Sequence, residues 1–426
     1  MSENLDSGRR IWLVPGVRTP FARVDAGLGK LDAVALSVPV AKAMGAQLAG
    51  DRPDLMVWGT VASNIGWSNI AREVLVDAGL DPATPAFSTV LACSTSMVGA
   101  FEAAGMLGGS LNLALVGGVE SMSRVQIGLS QGLSDWLRRL AQARTVGERI
   151  DRLLEIRFAD VKLHVPGVKN RATGRSMGEH CEEMAKAWKV SREAQDRLAL
   201  ASHQGAVKGL SSGFFDDLVI PAGEVTRDGI PRADTTAERL ARLRPAFDRV
   251  AGTVTAGNAS PLTDGAAALW VATDAGVERI PSGRPRARLV DWEIAAVDVF
   301  REGLLMAPAH AIPRLLARHG LALADVDLWE IHEAFAAQVL CNVAAIEDDA
   351  FVREKAGVST AMGRFPWERL NPNGGSVAIG HPFGATGARI LSQAVKELAS
   401  MGSGKRAVVS ICADGGLGTV ALLESV

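Results

Sequence analysis

The chain has 426 residues, of which 48% are hydrophobic and 22% charged, and its formal net charge at pH 7 is -2. This nearly neutral balance gives no general case for binding nucleic acid or an anionic membrane, and the composition is typical of a globular protein with a large core. The four cysteines are widely separated and form no CxxC pair, which argues against a disulfide framework or a zinc knuckle and favours a reducing compartment. The first residues, MSENLDSGRR, lack the apolar segment of a secretion signal, and no run of about 18 apolar residues follows. We therefore expect a cytoplasmic protein without a transmembrane segment.

Residues 1 to about 120 predict an alternating α/β half. Strands are expected at IWLVPGV and LMVWGTV, and helices at SVPVAKAMGAQLAG and NIAREVLVDAGL. Such alternation is typical of parallel or mixed sheets with helices on their faces. No GxGxxG follows a strand, and GLGK lacks the spacing of a phosphate loop, so a nucleotide-binding fingerprint is absent.

Cys93 lies in LACSTSMVGAFEAAGML, between an apolar run and a helical pattern. Ser94, Thr95 and Ser96 are residue types that cap helices. The expected helix leads to an apolar strand, LNLALVGGVE. A cysteine at a helix N-terminus, beside an imidazole, is placed where a thiol becomes a thiolate near neutral pH.

The alternation stops between about 121 and 250. SDWLRRLAQARTVGERIDRLLEIRF predicts an amphipathic helix, and from Arg138 to Arg175 ten Lys or Arg stand against four Asp or Glu. A solvated helical face, a cradle for a phosphorylated ligand, and a surface for a partner or membrane all fit this pattern. Two more helices are predicted in SMGEHCEEMAKAWKVSREAQDRLALASHQGAVKGL. The following segment, which ends in TDGAAALWVATD, indicates a return to a strand and a helix of small residues.

A second alternating half begins near residue 280. A strand, PRARLVDWEI, a helix, APAHAIPRLLARHGL, and a strand, VDLWEI, lead to His332 at a strand-to-helix junction. His332-Glu333 is not a zincin motif, because HExxH needs a second histidine where Ala336 stands. His332 is therefore a candidate hydrogen-bond donor or a buried structural histidine. Cys412 ends the strand of RAVVSICADGGLG and is a second candidate thiol or an ordinary buried cysteine.

The stretch NPNGGSVAIGHPFGATGAR, from Asn371 to Arg389, is rich in glycine and leads into a helical pattern. His381 is placed at the mouth of that helix, where a neutral imidazole can act as a base; a surface histidine in a glycine turn is the alternative. Cys93 and His381 are each followed six residues later by glycine, in a helix pattern that leads to a strand. We interpret this as an internal duplication with one reactive residue at the same corner of each half.

The motifs LACSTSMVGA, TAGNASPLTDGAAA, HEAFAAQ, NPNGGSVAIGHPFGATGAR and CADGGLG resemble, in their order and spacing, the successive signatures of the thiolase family across nearly the whole chain. HEAF, where many thiolases have Asn-Glu-Ala-Phe, and the long Arg-rich insertion most resemble the β-subunits of fatty-acid oxidation trifunctional complexes. The resemblance implies an α/β thiolase fold with two duplicated βαβαβαββ halves in αβαβα layers and an inserted, mostly helical loop domain. The corresponding boundaries are 1–120 for the N-terminal half, 121–250 for the loop domain, 251–279 for the return to the N-terminal half, and 280–426 for the C-terminal half.

The resemblance also implies an activity, that of an acetyl-CoA C-acyltransferase (3-ketoacyl-CoA thiolase) of fatty-acid β-oxidation. It would cleave 3-ketoacyl-CoA with CoA to acetyl-CoA and a shortened acyl-CoA. The implied residues are the catalytic Cys93, His381, Cys412 and His332, the backbone N–H groups of Cys93 and Asp414 as an oxyanion hole, and Met177, Ser260 and Phe335 as CoA contacts. Coenzyme A is expected as co-substrate, with no bound cofactor and no metal. A homodimer or homotetramer is expected, with a possible α-subunit carrying hydratase and dehydrogenase activities.

Asp414 departs from the family pattern, which usually has Gly or Ala at that position. A carboxylate aimed into an oxyanion site opposes the negative charge that develops there, so its side chain is predicted to point outward. Three alternatives stay open: a biosynthetic thiolase that forms acetoacetyl-CoA, a decarboxylating ketoacyl synthase on the same fold, and a non-catalytic binding protein. Cys412 argues against the synthase, which has no second catalytic cysteine in a glycine turn.

Overall fold

The computed structural model of the protein describes residues 9–62, 64–157, 159, 161–164, 166–167 and 169–426. Residues 1–8, on which the prediction of no secretion signal mainly rests, lie outside the described residues. So does Phe158, the last residue of the amphipathic helix predicted in the insertion.

Strands and helices alternate through most of the described chain. The strands are β1 Ile11–Arg18, β2 Ala22–Arg23, β3 Leu55–Gly59, β4 Ala86–Phe87, β5 Leu113–Glu120, β6 Gly128–Leu129, β7 Leu163–His164, β8 Thr263–Ala272, β9 Ala287–Ala296, β10 Leu328–Ile331, β11 Arg406–Ala413 and β12 Leu417–Ser425. The helices are α1 Ala33–Gly45, α2 Ile70–Asp77, α3 Thr95–Met106, α4 Gln131–Gln142, α5 Val146–Leu154, α6 Met177–Ala187, α7 Arg192–Ser211, α8 Ala237–Ala241, α9 Asp274–Val277, α10 Ala307–Arg318, α11 Ala336–Ile346, α12 Asp349–Phe351, α13 Ser376–Ile379 and α14 Thr386–Ser400.

The sheet shows the predicted duplication. Its strand order is β10-β11-β12-β9-β1-β8-β5-β3-β4, with β2 added on β8. In one half β3 pairs parallel with β5, and β5 and β1 each pair antiparallel with β8. In the other half β10 pairs parallel with β11, and β11 and β9 each pair antiparallel with β12. The halves are joined because β1 also pairs antiparallel with β9.

Three hydrophobic cores separate the layers of the larger unit. Alternate residues of β1 point to opposite faces: Ile11 and Leu13 enter a central core around α3 and α14, whereas Trp12 and Val14 enter an outer core with α1 and α2. The third core holds α10 and α11 against the other half of the sheet. The layers follow the order outer helices, one half of the sheet, central helices, the other half of the sheet, and outer helices. This order confirms the αβαβα layers.

The segment TDGAAALWVA forms the strand β8, so the prediction of a small-residue helix there is wrong. Alanine has the highest intrinsic helix propensity, but tertiary context overrides such local preferences. β8 pairs with β1 on one side and β5 on the other, and all of its residues are buried. The small side chains let this central strand pack between helix layers.

The single amphipathic helix predicted in the insertion is two helices, α4 and α5. The break occurs because Thr145 caps α5: its hydroxyl accepts from the Glu148 backbone N–H, and the Glu148 carboxylate accepts from the Thr145 backbone N–H. This reciprocal capping box starts a new helix instead of continuing the old one. The two helices predicted after it are α6 and α7.

The described residues divide into two compact units. The larger comprises residues within 1–62, 67–124 and 169–426, and the smaller comprises residues within 63–66 and 125–168. The smaller unit contains α4, α5 and the β6–β7 pair. The boundaries 1–120, 121–250, 251–279 and 280–426 stay predictions. No helix in the described ranges is both long and apolar enough to cross a membrane.

Candidate functional site

Cys93 lies at the centre of a 3-10 turn, Ala92–Ser94, immediately before α3. Ala92 adopts the left-handed conformation, with φ of 45°, which costs energy for a residue with a Cβ. Thr95 holds the turn, because its hydroxyl accepts from the Leu91 backbone N–H at 2.9 Å and donates to the Ala92 carbonyl at 2.8 Å. The strained turn fixes the position of Cys93.

The hydroxyl groups after Cys93 do not cap α3 as the sequence predicts. Ser94 is the N-cap residue, but its side chain makes no capping bond and instead hydrogen-bonds to the Thr419 hydroxyl. Ser96 accepts from the Ala388 backbone N–H at 2.8 Å. Both hydroxyls therefore tie the Cys93 turn to the C-terminal half of the chain, which lies hundreds of residues away in sequence.

His381 is held by the residues around it. Gly380, with φ of 111°, adopts a conformation that residues with a Cβ rarely reach. His381 Nδ1 lies 2.6 Å from the Thr386 hydroxyl at the first residue of α14. Burial, and then the positive charge of Arg389, lower the pKa of His381 to about 3. The imidazole is therefore neutral as predicted, although burial rather than the helix N-terminus is the main cause.

His332 follows β10 and lies against His381. The two ring centroids are 4.1 Å apart. His332 Nδ1 lies 2.8 Å from the Ser376 hydroxyl, which also accepts from Arg389 Nη2 at 2.8 Å. Burial, and then the charges of His381 and Arg389, lower the pKa of His332 well below its usual value.

Cys93 and the two histidines converge on one point. The Cys93 sulfur and one ring nitrogen from each of His332 and His381 lie within 4.8 Å of one another. Both Nδ1 atoms are engaged by hydroxyl groups, and both Nε2 atoms are buried without a partner in the described part of the chain. The two Nε2 atoms are therefore the ones available to a substrate.

The hydroxyl partners assign opposite tautomers to the two histidines. Thr386 donates its proton to the Pro382 carbonyl at 2.9 Å, so it accepts from His381 Nδ1–H and leaves Nε2 as a bare acceptor. Among the described residues the Ser376 hydroxyl proton has no acceptor other than His332 Nδ1, which leaves the proton of His332 on Nε2. His381 therefore offers a base and His332 a hydrogen-bond donor.

Cys412, at the end of β11, is buried next to this point. Burial raises the pKa of Cys412 well above its usual value, and the charge of a Cys93 thiolate raises it further. Burial is also the main cause at the partly exposed Cys93, where burial and then the charge of Asp414 raise the thiol pKa to about 12. Burial therefore favours the protonated thiol of Cys93 in the resting protein, and its thiolate has to form by proton transfer to a base.

Asp414 contributes to this site in two opposing ways. Its backbone N–H and that of Cys93 hydrogen-bond to the Cys93 sulfur and lower the thiol pKa, whereas its carboxylate raises it. The carboxylate is half-buried and accepts from Asn170 Nδ2 at 2.8 Å and from the Gly415 backbone N–H at 2.7 Å. It does not point freely outward as predicted, since Asn170 holds it within electrostatic range of Cys93.

The three predicted CoA contacts lie in one cluster. Phe335 is buried in the hydrophobic core that also contacts Met177 at the first turn of α6. Ser260 donates its hydroxyl and its backbone N–H to the Ala334 carbonyl, both at 3.0 Å. The sequence missed Phe247, which packs edge-on against Phe335 at 6.0 Å between ring centroids.

Two buried carboxylates at the site were also missed. Glu120, at the end of β5, accepts from the Gly384 backbone N–H at 3.1 Å, in the turn after His381. Glu333, the residue after His332, accepts from the Ser202 hydroxyl at 2.6 Å and from Asn371 Nδ2 at 2.6 Å. The available signal for Glu120 was an acidic residue at the end of the apolar run LALVGGVE.

Two family models cover most of the sequence. The model described as Thiolase, N-terminal domain matches residues 11–275, and the model described as Thiolase, C-terminal domain matches residues 283–425. The chain is 38% identical to the 3-ketoacyl-CoA thiolases of Yersinia enterocolitica and Yersinia pestis, over 98% of this chain and 97% of each relative.

Solved structures agree with this match. The Bacillus anthracis acetyl-CoA acetyltransferase superposes with a TM-score of 0.77 at 31% identity, over 98% of this chain and 99% of that chain. The Acat5 thiolase of Ascaris suum, in complex with coenzyme A, superposes with a TM-score of 0.78 at 27% identity, over 98% of this chain and 100% of that chain.

Proposed function

Because the chain belongs to the thiolase family, we propose that it is an acetyl-CoA C-acyltransferase that cleaves 3-ketoacyl-CoA with CoA. The observation that carries the proposal is the convergence of the Cys93 sulfur with a ring nitrogen of His332 and of His381, beside the second thiol, Cys412. The Yersinia relatives named 3-ketoacyl-CoA thiolase support it.

In the first half-reaction the Cys93 sulfur attacks C3 of the 3-ketoacyl-CoA while its proton passes to Nε2 of His381. The resting thiol is protonated, so this proton transfer accompanies the attack. The backbone N–H groups of Cys93 and Asp414, which now meet the sulfur, are placed to stabilise the oxyanion on C3.

Collapse of this adduct breaks the C2–C3 bond and leaves an acyl group on Cys93 and the enolate of acetyl-CoA. His332 Nε2–H, together with the newly protonated His381, stabilises the enolate oxygen. Cys412 gives its proton to C2 and releases acetyl-CoA. A separate acid is needed because the Cys93 sulfur is already bonded to the acyl carbon.

In the second half-reaction the Cys412 thiolate takes the proton of free CoA, and the CoA sulfur attacks the acyl group on Cys93. The oxyanion forms at the same backbone N–H groups. His381 returns its proton to the Cys93 sulfur as that sulfur leaves. Shortened acyl-CoA departs, and the protein is back in its starting state.

Met177, Ser260 and Phe335 are proposed to contact CoA, which acts as a co-substrate rather than a bound cofactor. Fatty-acid β-oxidation as the pathway, a cytoplasmic location, a homodimer or homotetramer, and a hydratase and dehydrogenase α-subunit extend this proposal. A second candidate function is the reverse condensation to acetoacetyl-CoA, which uses the same residues.

Intact mass and peptide mapping after mixing with a short or a long 3-ketoacyl-CoA, without free CoA, test the function. We expect an acyl adduct on Cys93 that free CoA removes. The 3-ketoacyl-CoA whose acyl group loads more completely is the preferred substrate. Cys412→Ser should nearly abolish turnover, whereas Cys341→Ala, a buried thiol outside the site, should not. Absence of any adduct with either 3-ketoacyl-CoA would contradict the proposal and favour a binding protein.

A further inference from the structure

We infer that Cys93, His332 and His381 also bind a soft divalent cation such as Zn²⁺, and that the bound ion blocks the site. No metal is expected as part of the proposed function, and this ion is a ligand that competes with the proposed reaction. Its binding does not depend on the proposed function, whereas its effect on turnover does.

The donor atoms suit this class of cation. Thiolate sulfur and imidazole nitrogen are the preferred ligands of Zn²⁺, which in many sites has four tetrahedral positions. The sulfur and the two ring nitrogens lie within 4.8 Å of one another, and the two histidines are 0% and 4% exposed. Both Nε2 atoms lack a partner in the described part of the chain, so neither gives up a hydrogen bond of its own to bind an ion.

The distances require a small closure. Bonds of about 2.3 Å to sulfur and about 2.0–2.1 Å to nitrogen place tetrahedral ligand atoms roughly 3.3–3.7 Å apart. Rotation of the Cys93 side chain can supply the movement while the turn keeps its backbone in place, since the residue is partly exposed and both histidines are fixed by hydroxyl groups. The three residues leave a fourth position for water.

The protons balance without any redox step. Binding releases the thiol proton of Cys93 to solvent and forms the metal–sulfur bond. His332 moves its proton from Nε2 to Nδ1, and the Ser376 hydroxyl changes from donor to acceptor in this hydrogen bond, so that its own proton turns away from the ring. His381 already has a bare Nε2, because its Nδ1–H is directed at Thr386. The ion is then bonded to the Cys93 sulfur, which attacks the substrate, and to His381 Nε2, which takes the thiol proton.

The imidazole of His332 completes the set of three metal ligands in this chain. Many thiolases have asparagine in the corresponding motif, which leaves one histidine and one cysteine. Ser376 supports the imidazole as an outer-shell partner, and loss of such a partner typically weakens metal binding about 10–100-fold. Loss of His332 itself should weaken it by more than that.

The test uses Co²⁺ as a spectroscopic probe and Zn²⁺ as its competitor. Protein stripped with a chelator and desalted is titrated with Co²⁺, and we expect one equivalent to give the absorption of tetrahedral cobalt with a thiolate charge-transfer band. Zn²⁺ should remove this absorption and protect Cys93 from iodoacetamide. Cys93→Ser should lose the charge-transfer band, His332→Asn should bind more than 100-fold more weakly, and Cys341→Ala should behave as wild type.

Circular dichroism of each variant establishes that it folds before its binding is compared. No saturable cobalt absorption in the wild type, or equal affinity in wild type and His332→Asn, would overturn the inference. An acyl adduct on Cys93 without metal binding leaves the proposed function standing and removes the metal site. Metal binding without an acyl adduct leaves the metal site standing and removes the proposed function.

Discussion

Gly384 donates its backbone N–H to Oε2 of Glu120 at 3.1 Å, which joins the turn after His381 to the end of β5. Glu120 also accepts from the Thr60 hydroxyl at 3.0 Å and from the backbone N–H groups of Val61 at 3.1 Å and Ala62 at 2.9 Å. One carboxylate therefore connects both halves of the chain within the catalytic region.

Glu120→Gln should lower the free energy of unfolding by roughly 2–5 kcal/mol, because whichever way the amide is oriented its NH₂ group faces two of these donors. Turnover should fall as well, since the turn after His381 loses its anchor. Urea denaturation and steady-state rates measure both effects. Glu102→Gln is the matched control, because Glu102 accepts only from the Thr89 hydroxyl among the described hydrogen bonds. Equal effects of the two substitutions would contradict a special role for Glu120.

Thr386→Val should lower kcat about 10–100-fold, up to the lower end of the contribution typical of a general base, because it removes the acceptor that keeps the proton of His381 on Nδ1. Thr386→Ser retains the hydroxyl and should restore most of the rate. The pH profile of kcat distinguishes this role from a packing defect: the valine variant should show a shifted profile, and the serine variant should not. A pH profile of kcat that Thr386→Val leaves unchanged would contradict the assignment of the His381 proton to Nδ1.

Asp414→Asn should speed alkylation of Cys93 by iodoacetamide, because the carboxylate charge raises the pKa of that thiol. The alkylation rate measured against pH should shift toward lower pH. Asn170→Ala leaves the charge in place and frees it from its partner, so it should not produce the same acceleration. An alkylation rate that Asp414→Asn leaves unchanged would show that the charge does not act on the sulfur.

The two buried histidines should lower the stability as the pH drops below about 6.5, against the opposite contribution of buried carboxylates such as Glu397, whose pKa burial raises to about 7. Burial lowers the pKa of His381 to about 3 and that of His332 well below its usual value. In the unfolded chain both groups bind protons below about 6.5 while the folded protein does not, so acid favours unfolding. Each histidine should cost about 1 kcal/mol at pH 5.5 relative to pH 7.5, and the full loss is reached only below the folded pKa.

Urea denaturation at the two pH values measures this effect. His332→Asn removes one of the two groups, so its stability should depend less on pH than that of the wild type. Cys341→Ala controls for an unrelated core substitution and should keep the wild-type dependence. A His332→Asn variant with the full pH dependence would contradict a neutral, buried His332.

The sequence by itself determined the fold class and the duplication, because local motifs and hydrophobic periodicity carry that information, and it predicted which four residues react. It also identified Asp414 as a departure from the family pattern, which usually has Gly or Ala at that position. The duplication predicted that Cys93 and His381 occupy equivalent positions. The structure shows otherwise: the matching 3-10 turns before α3 and α14 are Ala92–Ser94 and Phe383–Ala385, so Cys93 corresponds to Gly384.

Only the tertiary structure decided what depends on contacts between distant parts of the chain. The strand β8 forms because it is paired on both sides, although its alanines fit a helix. Burial raises the pKa of the Cys93 thiol to about 12 because it outweighs the backbone N–H groups of Asp414 and Cys93, which lower that pKa. The tautomers of His332 and His381 differ because the Ser376 hydroxyl donates to His332 Nδ1, whereas the Thr386 hydroxyl accepts from His381 Nδ1–H. Burial, charge and hydrogen bonding at a site are sums over residues that folding brings together, so no local pattern contains them.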